Sequence, residues 1–355
     1  MSEVSPSYVH GASDIELKGE TVGACFDHTV ARHSDKLALI SRHENARLTY
    51  GELAVRVDAF AAGLIAMGLE PGDRVGICAP NGVAWVVTQF ATAKAGLILV
   101  NINPAYRLGE LDYALKTVGC RALIISARYK TSDYMAMLHE LMPELSDASP
   151  GLINSQALPD LDWIVTIEES EDKAAMAFGE VAAMAGDEHR CQLAKRVAML
   201  QFDDPINIQF TSGTTGTPKA ATLTHHNIVN NAYFVGLQMR LTAADRLCIP
   251  VPMYHCFGMV LGTLCCVAHG STMVFSAAGF DAGETLRAIA DEGCTALHGV
   301  PTMFIAALDE PDFKTLDLTR LRTGVMAGAP CPVELMKRVM DEMHLAQITI
   351  AYGMT

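Results

Sequence analysis

Short runs of uninterrupted apolar and β-branched residues, separated by stretches with helical spacing, constrain this chain more than any other feature. The runs lie at 37–40, 75–78, 97–102, 122–126, 163–167, 206–211, 247–251, 272–275, 296–299 and 348–352. Most do not alternate with polar residues, so strands built from them must be covered on both faces. Helical segments fall between them. Thr49-Tyr50-Gly51-Glu52 is a capping box, after which Leu53, Val57, Phe60, Leu64 and Met67 recur at helical spacing until Gly68 ends the helix. Comparable helices are expected over 82–94, 108–118, 282–292 and 333–343. This alternation predicts an α/β chain of two stacked subdomains, residues 1–200 and 201–355, each a largely parallel sheet covered by helices. Turn formers at 146–160 and an acidic, Ala-rich stretch at 168–188 predict a surface excursion between the lobes, over roughly 146–190.

Composition narrows the function classes. Of the 355 residues, 50% are hydrophobic and only 19% charged, which excludes a disordered chain. The net charge of −14 excludes a broad nucleic-acid groove, and no basic cluster points to an anionic membrane. Phosphates can still be held locally, by backbone N–H groups and one well-placed Lys. None of the ten Cys forms a CxxC pair, so free buried thiols in a reducing compartment are expected. Residues 1–20 include Asp14, Glu16 and Glu20 and no apolar stretch, unlike a signal or transit peptide. Residues 247–280 contain no Asp, Glu, Lys or Arg, but Pro250, Pro252, His255 and His269 interrupt them. Their purest part, 257–268, is too short for a membrane span of about 20 residues. A soluble, cytoplasmic protein is expected.

The chemistry concentrates in Ile208-Gln-Phe-Thr-Ser-Gly-Thr-Thr-Gly-Thr-Pro-Lys219. A β run leads into Thr211, Ser212, Gly213, Thr214, Thr215 and Gly216, closed by Thr217, Pro218 and Lys219. Small residues let backbone N–H groups turn together towards an anion, hydroxyls add donors, and Lys219 supplies a compact positive charge. The spacing differs from the Walker loop, because two residues separate Gly213 from Gly216 and Ala220 follows the Lys.

TSGTTGTPK, followed by Leu223-Thr224-His225-His226-Asn227, resembles the phosphate-binding signature of the AMP-forming adenylating enzymes: acyl-CoA synthetases, luciferases and peptide-synthetase adenylation domains. The likeness spans nearly the whole chain. Leu48-Thr-Tyr-Gly-Glu-Leu53 resembles the family's LTYGEL helix start, and Lys94-Ala-Gly96 through Asn101-Ile-Asn-Pro104 its KAG…NxNP strand, with Arg107 after it. Pro252-Met-Tyr-His255 is similar to the PxxH acyl-site motif, residues 324–330 (GVMAGAP) to the adenine-side GGAP segment, and Ala351-Tyr-Gly-Met-Thr355 to the start of YGxTE. NPAYR, PMYHCFGM and GVPTMF are most similar to fatty-acyl-CoA synthetases of the medium-chain, family-member-two type.

The resemblance implies a fatty-acid–CoA ligase. A carboxylic acid attacks the α-phosphate of ATP, with Mg²⁺ assisting, and CoA then takes the acyl group from the adenylate. Thr211 to Lys219 would cradle the β- and γ-phosphates, and Gly328, Ala329 and Pro330 would line the adenine pocket with Tyr352 stacked on the base. Lys219, His255 and Thr355 would serve the reacting groups, Thr355 at the α-phosphate and His255 near the carboxylate. Met253, Phe257, Met259, Val300, Met303, Phe304, Val325 and Met326 offer an apolar lining for an aliphatic tail, although the same residues would also serve as ordinary core. His225 and His226 are assigned to the first turn of a helix capped by Thr224, while His298 is either a pocket edge or core. An acceptor other than CoA, such as a carrier protein, and a binding fragment without turnover are the competing readings; homo-oligomerisation is left open.

Two departures from the family pattern matter. Ala220 stands where Gly normally follows the motif Lys, at a cost of roughly 1–2 kcal/mol if that backbone needs positive φ. The sequence also ends at Thr355 inside YGxTE, before the acidic Mg²⁺ residue, the ribose-binding Asp, the hinge and the adenylation Lys, so a truncated chain is expected.

Overall fold

A computed structural model describes residues 14–211 and 218–353. Their backbone forms two seven-stranded sheets and one small hairpin. The first sheet runs in the order Lys219–Thr224, Pro205–Thr211, Ile98–Asn101, Arg74–Cys78, Cys120–Ile125, Trp163–Thr166 and Ala175–Ala177. The second runs Gln347–Ile350, Thr323–Met326, Ala296–Gly299, Arg246–Cys248, Thr272–Phe275, Leu37–Ser41 and Ala46–Thr49. Each is parallel except at one edge, where Lys219–Thr224 and Ala46–Thr49 return antiparallel.

Alternate residues of each strand enter different cores, as a two-residue side-chain period requires. Val75, Ile77 and Leu99 of the first sheet and Leu39, Met273 and Val325 of the second meet in one central core. Cys78, Ile98 and Val100 face an outer core under Leu108–Val118 and Tyr134–Leu141. Ile40, Val274 and Met326 face a second outer core under Ala282–Glu292, Pro301–Leu308 and Val333–Glu342. Val22–His33, Tyr50–Ala66, Val83–Ala95 and His225–Gln238 fill the central layer. Every residue of Val83–Ala95 after Val83 is buried, as expected of a helix lying between two sheets. Its Lys94 reaches Asp27 at 2.7 Å and Asp58 at 2.5 Å. Burial pulls that ammonium's pKa down, but the two carboxylates outweigh it and the net shift is upward.

The expected division at residue 200 does not match the sheets. Strands Pro205–Thr211 and Lys219–Thr224 belong with the N-terminal sheet, whereas Leu37–Ser41 and Ala46–Thr49 pair with the C-terminal one. The stretch read as a surface excursion also contributes the Trp163–Thr166 and Ala175–Ala177 strands and runs into the start of the helix Asp187–Met199. The uncharged stretch 247–280 folds as a strand end, a helical segment and the strand Thr272–Phe275. No described helix is long and apolar enough to cross a membrane. All ten Cys are free thiols, most of them buried.

Candidate functional site at the strand ends

The Thr/Gly-rich segment joins two antiparallel strands whose ends, Thr211 and Lys219, are register partners. Thr211 Oγ1 donates to the Lys219 carbonyl at 3.5 Å, and the Pro218 carbonyl accepts from the Tyr113 hydroxyl at 3.1 Å. Lys219 is exposed. Ser212, Gly213, Thr214, Thr215, Gly216 and Thr217 lie outside the described residues, as does Thr355. Ala220 sits in the returning strand without positive φ, so its methyl group brings no backbone strain.

A row of buried side-chain amides joins this sheet to the segment around His255. Asn207 Nδ2 donates to the Leu99 carbonyl and to Asn101 Oδ1, both at 2.8 Å. Asn101 Nδ2 reaches the Met253 carbonyl at 3.4 Å. Asn81 donates to the Val251 carbonyl at 2.9 Å and accepts from the Met253 amide at 2.9 Å. The turn closes tightly, because a Cβ on Gly258 would meet the Pro252 carbonyl oxygen at 2.3 Å. His255 caps the following helical turn, its Nδ1 accepting the Phe257 amide at 3.1 Å. A backbone amide can only donate, so Nδ1 carries the lone pair and Nε2 the proton. Nε2 has no hydrogen-bond partner among the described residues, and the residue is exposed. Desolvation holds the imidazole pKa below its ordinary value and favours this neutral form.

After His255 the helix widens into a π-turn over Met259–Leu264. Such turns leave carbonyls that need outside donors. Gln89 Nε2 and Thr263 Oγ1 donate to the Met259 carbonyl at 3.2 and 2.6 Å, and His298 Nε2 donates to Leu261 at 2.8 Å. His298 Nδ1 accepts from the Val325 amide at 3.2 Å. The ring is fully buried, and burial drops its pKa to about 4. Both nitrogens are used, so His298 is a structural clamp and not a free pocket edge. His225 is similarly structural: its Nδ1 accepts the Val22 amide at 3.0 Å, and burial lowers its pKa to about 4.

The adenine-side residues follow adjacent parallel strands of the second sheet. Val300 follows Ala296–Gly299, residues 327–330 follow Thr323–Met326, and residues 351–353 follow Gln347–Ile350. Gly328 adopts φ +83°. Gly328, Ala329 and Pro330 are exposed, and Tyr352 is 91% exposed. Carboxyl ends of parallel strands are where open α/β sheets bind ligands.

The expected apolar lining divides in two. Met253, Phe257, Met259 and Val325 share the central core, with Val300 and Met303 packed against it. Phe304 and Met326 do not join them. They lie in the outer core on the far face of the second sheet, where Phe304 covers Gly299. The two-residue alternation of strand Thr323–Met326 sends Val325 one way and Met326 the other. Sequence reading missed Asn81, Asn207 and Gln89. Their only sequence signal is an amide inside or beside an apolar run.

The AMP-binding enzyme family model matches residues 26–355. The mitochondrial medium-chain acyl-CoA ligase ACSF2 of Danio rerio is 44% identical over 354 residues, covering 99% of this chain and 58% of that protein. Its Homo sapiens counterpart is 42% identical over 353 residues, covering 98% of this chain and 57% of that protein. The chain thus spans less than two thirds of these relatives. Among solved structures, the anthranilate CoA ligase AuaEII in complex with anthranoyl-AMP superposes with a TM-score of 0.82 at 22% identity, covering 97% of this chain and 62% of that one. The N-terminal domain of FACL13 from Mycobacterium tuberculosis gives 0.77 at 22% identity, over 94% of this chain and 76% of that one.

Proposed function

Because the chain belongs to the AMP-binding enzyme family, we propose that it supplies the nucleotide- and acyl-binding part of a fatty-acid–CoA ligase. The substrate carboxylate attacks the α-phosphate of ATP and expels pyrophosphate; the CoA thiol then attacks the acyl carbonyl and expels AMP. The observation that carries this reading is the placement of Thr211, Val300, Gly328 and Tyr352 at or just past the carboxyl ends of strands, with the His255 segment tied to the first sheet through Asn101. Similarity to the medium-chain ligases supports a medium- to long-chain aliphatic acid.

In this reading Thr211 to Lys219 holds the β- and γ-phosphates, and Thr355 the α-phosphate. Gly328, Ala329 and Pro330 border the adenine, onto which exposed Tyr352 stacks. Positive φ at Gly328 lets that turn pass close to Val300, since an added Cβ would stand 3.0 Å from its Cγ1. His255 Nε2–H faces the carboxyl end of the acid, and Met253, Phe257, Met259, Val300 and Met303 border its tail. Among the described residues no group of three or more His, Cys, Asp or Glu side chains forms a metal cradle. Mg²⁺ bound with the nucleotide would neutralise its phosphates in this reading.

Octanoate, ATP and CoA given to the complete protein should yield octanoyl-CoA, AMP and pyrophosphate. AMP release without the thioester would point instead to another acceptor, such as a carrier protein. Lys219→Ala should slow ATP–pyrophosphate exchange about ten- to hundredfold, the equivalent of one charge-assisted hydrogen bond of roughly 1.5–3 kcal/mol. Exchange at the unaltered rate would remove Lys219 from the mechanism. The expected cytoplasmic location contrasts with the mitochondrial naming of the vertebrate relatives, and cell fractionation decides between them.

A further inference from the structure

Two atoms of the amide row are buried without a hydrogen-bond partner among the described residues, Gln209 Nε2 and Asn207 Oδ1, and of the two residues only Asn207 has its other amide atom bonded within the fold. Gln209 is 2% exposed, and its Nε2 has no hydrogen-bond partner among the described residues. It is the register partner of Asn101 across the parallel pair, so the two side chains share the face turned towards the second sheet. Asn101 is committed to Asn207 and to the Met253 carbonyl. A buried amide donor left unpaired costs about 1–3 kcal/mol, and such a group at a ligand-binding strand end calls for an explanation.

We propose that Gln209 is a substrate-binding residue whose side-chain amide donates to the carboxylate oxygen of the acyl substrate, and then to the acyl carbonyl of the adenylate. The inference rests on the adenylation reading and adds a residue to it. An alkyl tail would leave the N–H groups unpaired, so the partner must be an oxygen acceptor. The phosphates are the wrong one. Their loop begins two residues beyond Gln209, roughly 7 Å further along the strand, whereas Gln209 lies level with Asn101 and the Met253 carbonyl. In the adenylation reading the acid's head group stands at that level, short of Thr211 at the strand end and beside the apolar residues Met253 and Met259. His255 Nε2–H is the second donor bordering the same segment.

The test uses the complete protein and two probes: octanoyl-sulfamoyl-adenosine, a stable acyl-adenylate mimic with the acyl carbonyl, and AMP, which lacks it. Calorimetry should give about tenfold weaker mimic binding for Gln209→Met, which keeps length without a donor, and less than twofold change for AMP. Gln209→Glu, which replaces the donor by an acceptor, should weaken the mimic further. Unchanged mimic affinity, or equal losses for both probes, would overturn the proposal, the second because it marks a merely structural role. Should the variants fail to fold, the unaltered protein labelled with ¹⁵N at Gln side chains still decides. The Gln209 amide resonance must move with the mimic and not with AMP. A resonance unmoved by the mimic, the result expected if Gln209 Nε2 is satisfied by Asn207 Oδ1 through a buried water, would overturn it too. If the unaltered protein binds neither probe, the adenylation reading itself fails, and this inference with it.

Discussion

Acidification from pH 7 to pH 5 should weaken this fold through its buried imidazoles, and His298 allows the size of the loss to be worked out. The ring is fully buried and neutral, with one nitrogen accepting from Val325 and the other donating to Leu261. Its folded pKa is about 4, below the ordinary 6.5 expected when unfolded. Between those values the unfolded chain binds a proton that the folded chain refuses. The stabilisation is therefore complete above about pH 6.5, falls as pH drops, and is exhausted near pH 4. At pH 5 nearly every unfolded copy carries the proton and about one folded copy in ten does, a loss of about 2 kcal/mol relative to pH 7. His225, with a pKa of about 4, adds a second loss of the same sign. Gln at position 298 can still donate to Leu261 but does not titrate. His298→Gln should thus be less stable than the parent at pH 7 by about 1–3 kcal/mol, through the unpaired Val325 amide, yet lose about 2 kcal/mol less on going to pH 5. Urea unfolding followed by the fluorescence of Trp85 and Trp163 measures both quantities, and carboxylates common to the two chains cancel in the difference. Identical pH dependence in parent and variant would refute a neutral, clamping His298.

Three further outcomes follow from the same geometry. Tyr352→Ala should weaken AMP binding about five- to hundredfold by removing a stacking platform of roughly 1–3 kcal/mol, while the melting temperature stays within a degree or so. Comparable AMP affinity would remove Tyr352 from the adenine site. Asn101→Leu leaves the Asn207 amide and the Met253 carbonyl without that partner, so urea titration should register a loss of about 1–3 kcal/mol. Gly63→Ala places a methyl group 2.1 Å from the Val181 carbonyl oxygen, where the backbone of both elements must move. A loss of roughly 2–3 kcal/mol is expected in the same assay, and a neutral effect would contradict the close approach of Tyr50–Ala66 to that segment.

Local periodicity carried much of the secondary structure. Helices Leu108–Val118 and Ala282–Glu292 and strands Thr272–Phe275 and Ala296–Gly299 form where the patterns place them. The capping box at Thr49 forms as read, and Thr224 caps the helix containing His225. What escaped has physical causes. Lys219–Thr224 and Ala46–Thr49 are edge strands, only partly buried, so they lack the continuous apolar run that marked the others. Asp187–Met199 buries only Leu193 and Arg196, so it lacks the apolar periodicity that marked the other helices. The domain division failed because Leu39 pairs with Met273 and Asn207 with Leu99, contacts set by tertiary packing and invisible to any local window.

The candidate site follows the same rule. Residues that would touch a ligand through backbone shape or a terminal charge stood out, because Gly, Thr, Pro and Lys in close order have few structural uses. Residues that hold those groups in place did not, because an Asn or Gln inside an apolar strand looks like a weak point until its partner is known. Asn101 shows the difference. Its value lies in reaching Asn207 on one neighbour and Met253 on a segment 152 residues away. The apolar lining illustrates the converse: Val325 and Met326 are equally apolar and adjacent, yet the pleat sends one into the central core and the other behind the sheet. Hydrophobicity could nominate both; only strand phase could separate them. Gln209 then becomes informative through what it lacks. In an amide row whose other members donate to backbone carbonyls or to one another, the side-chain donor without a partner among the described residues is the position where packing alone gives no reason for a polar side chain.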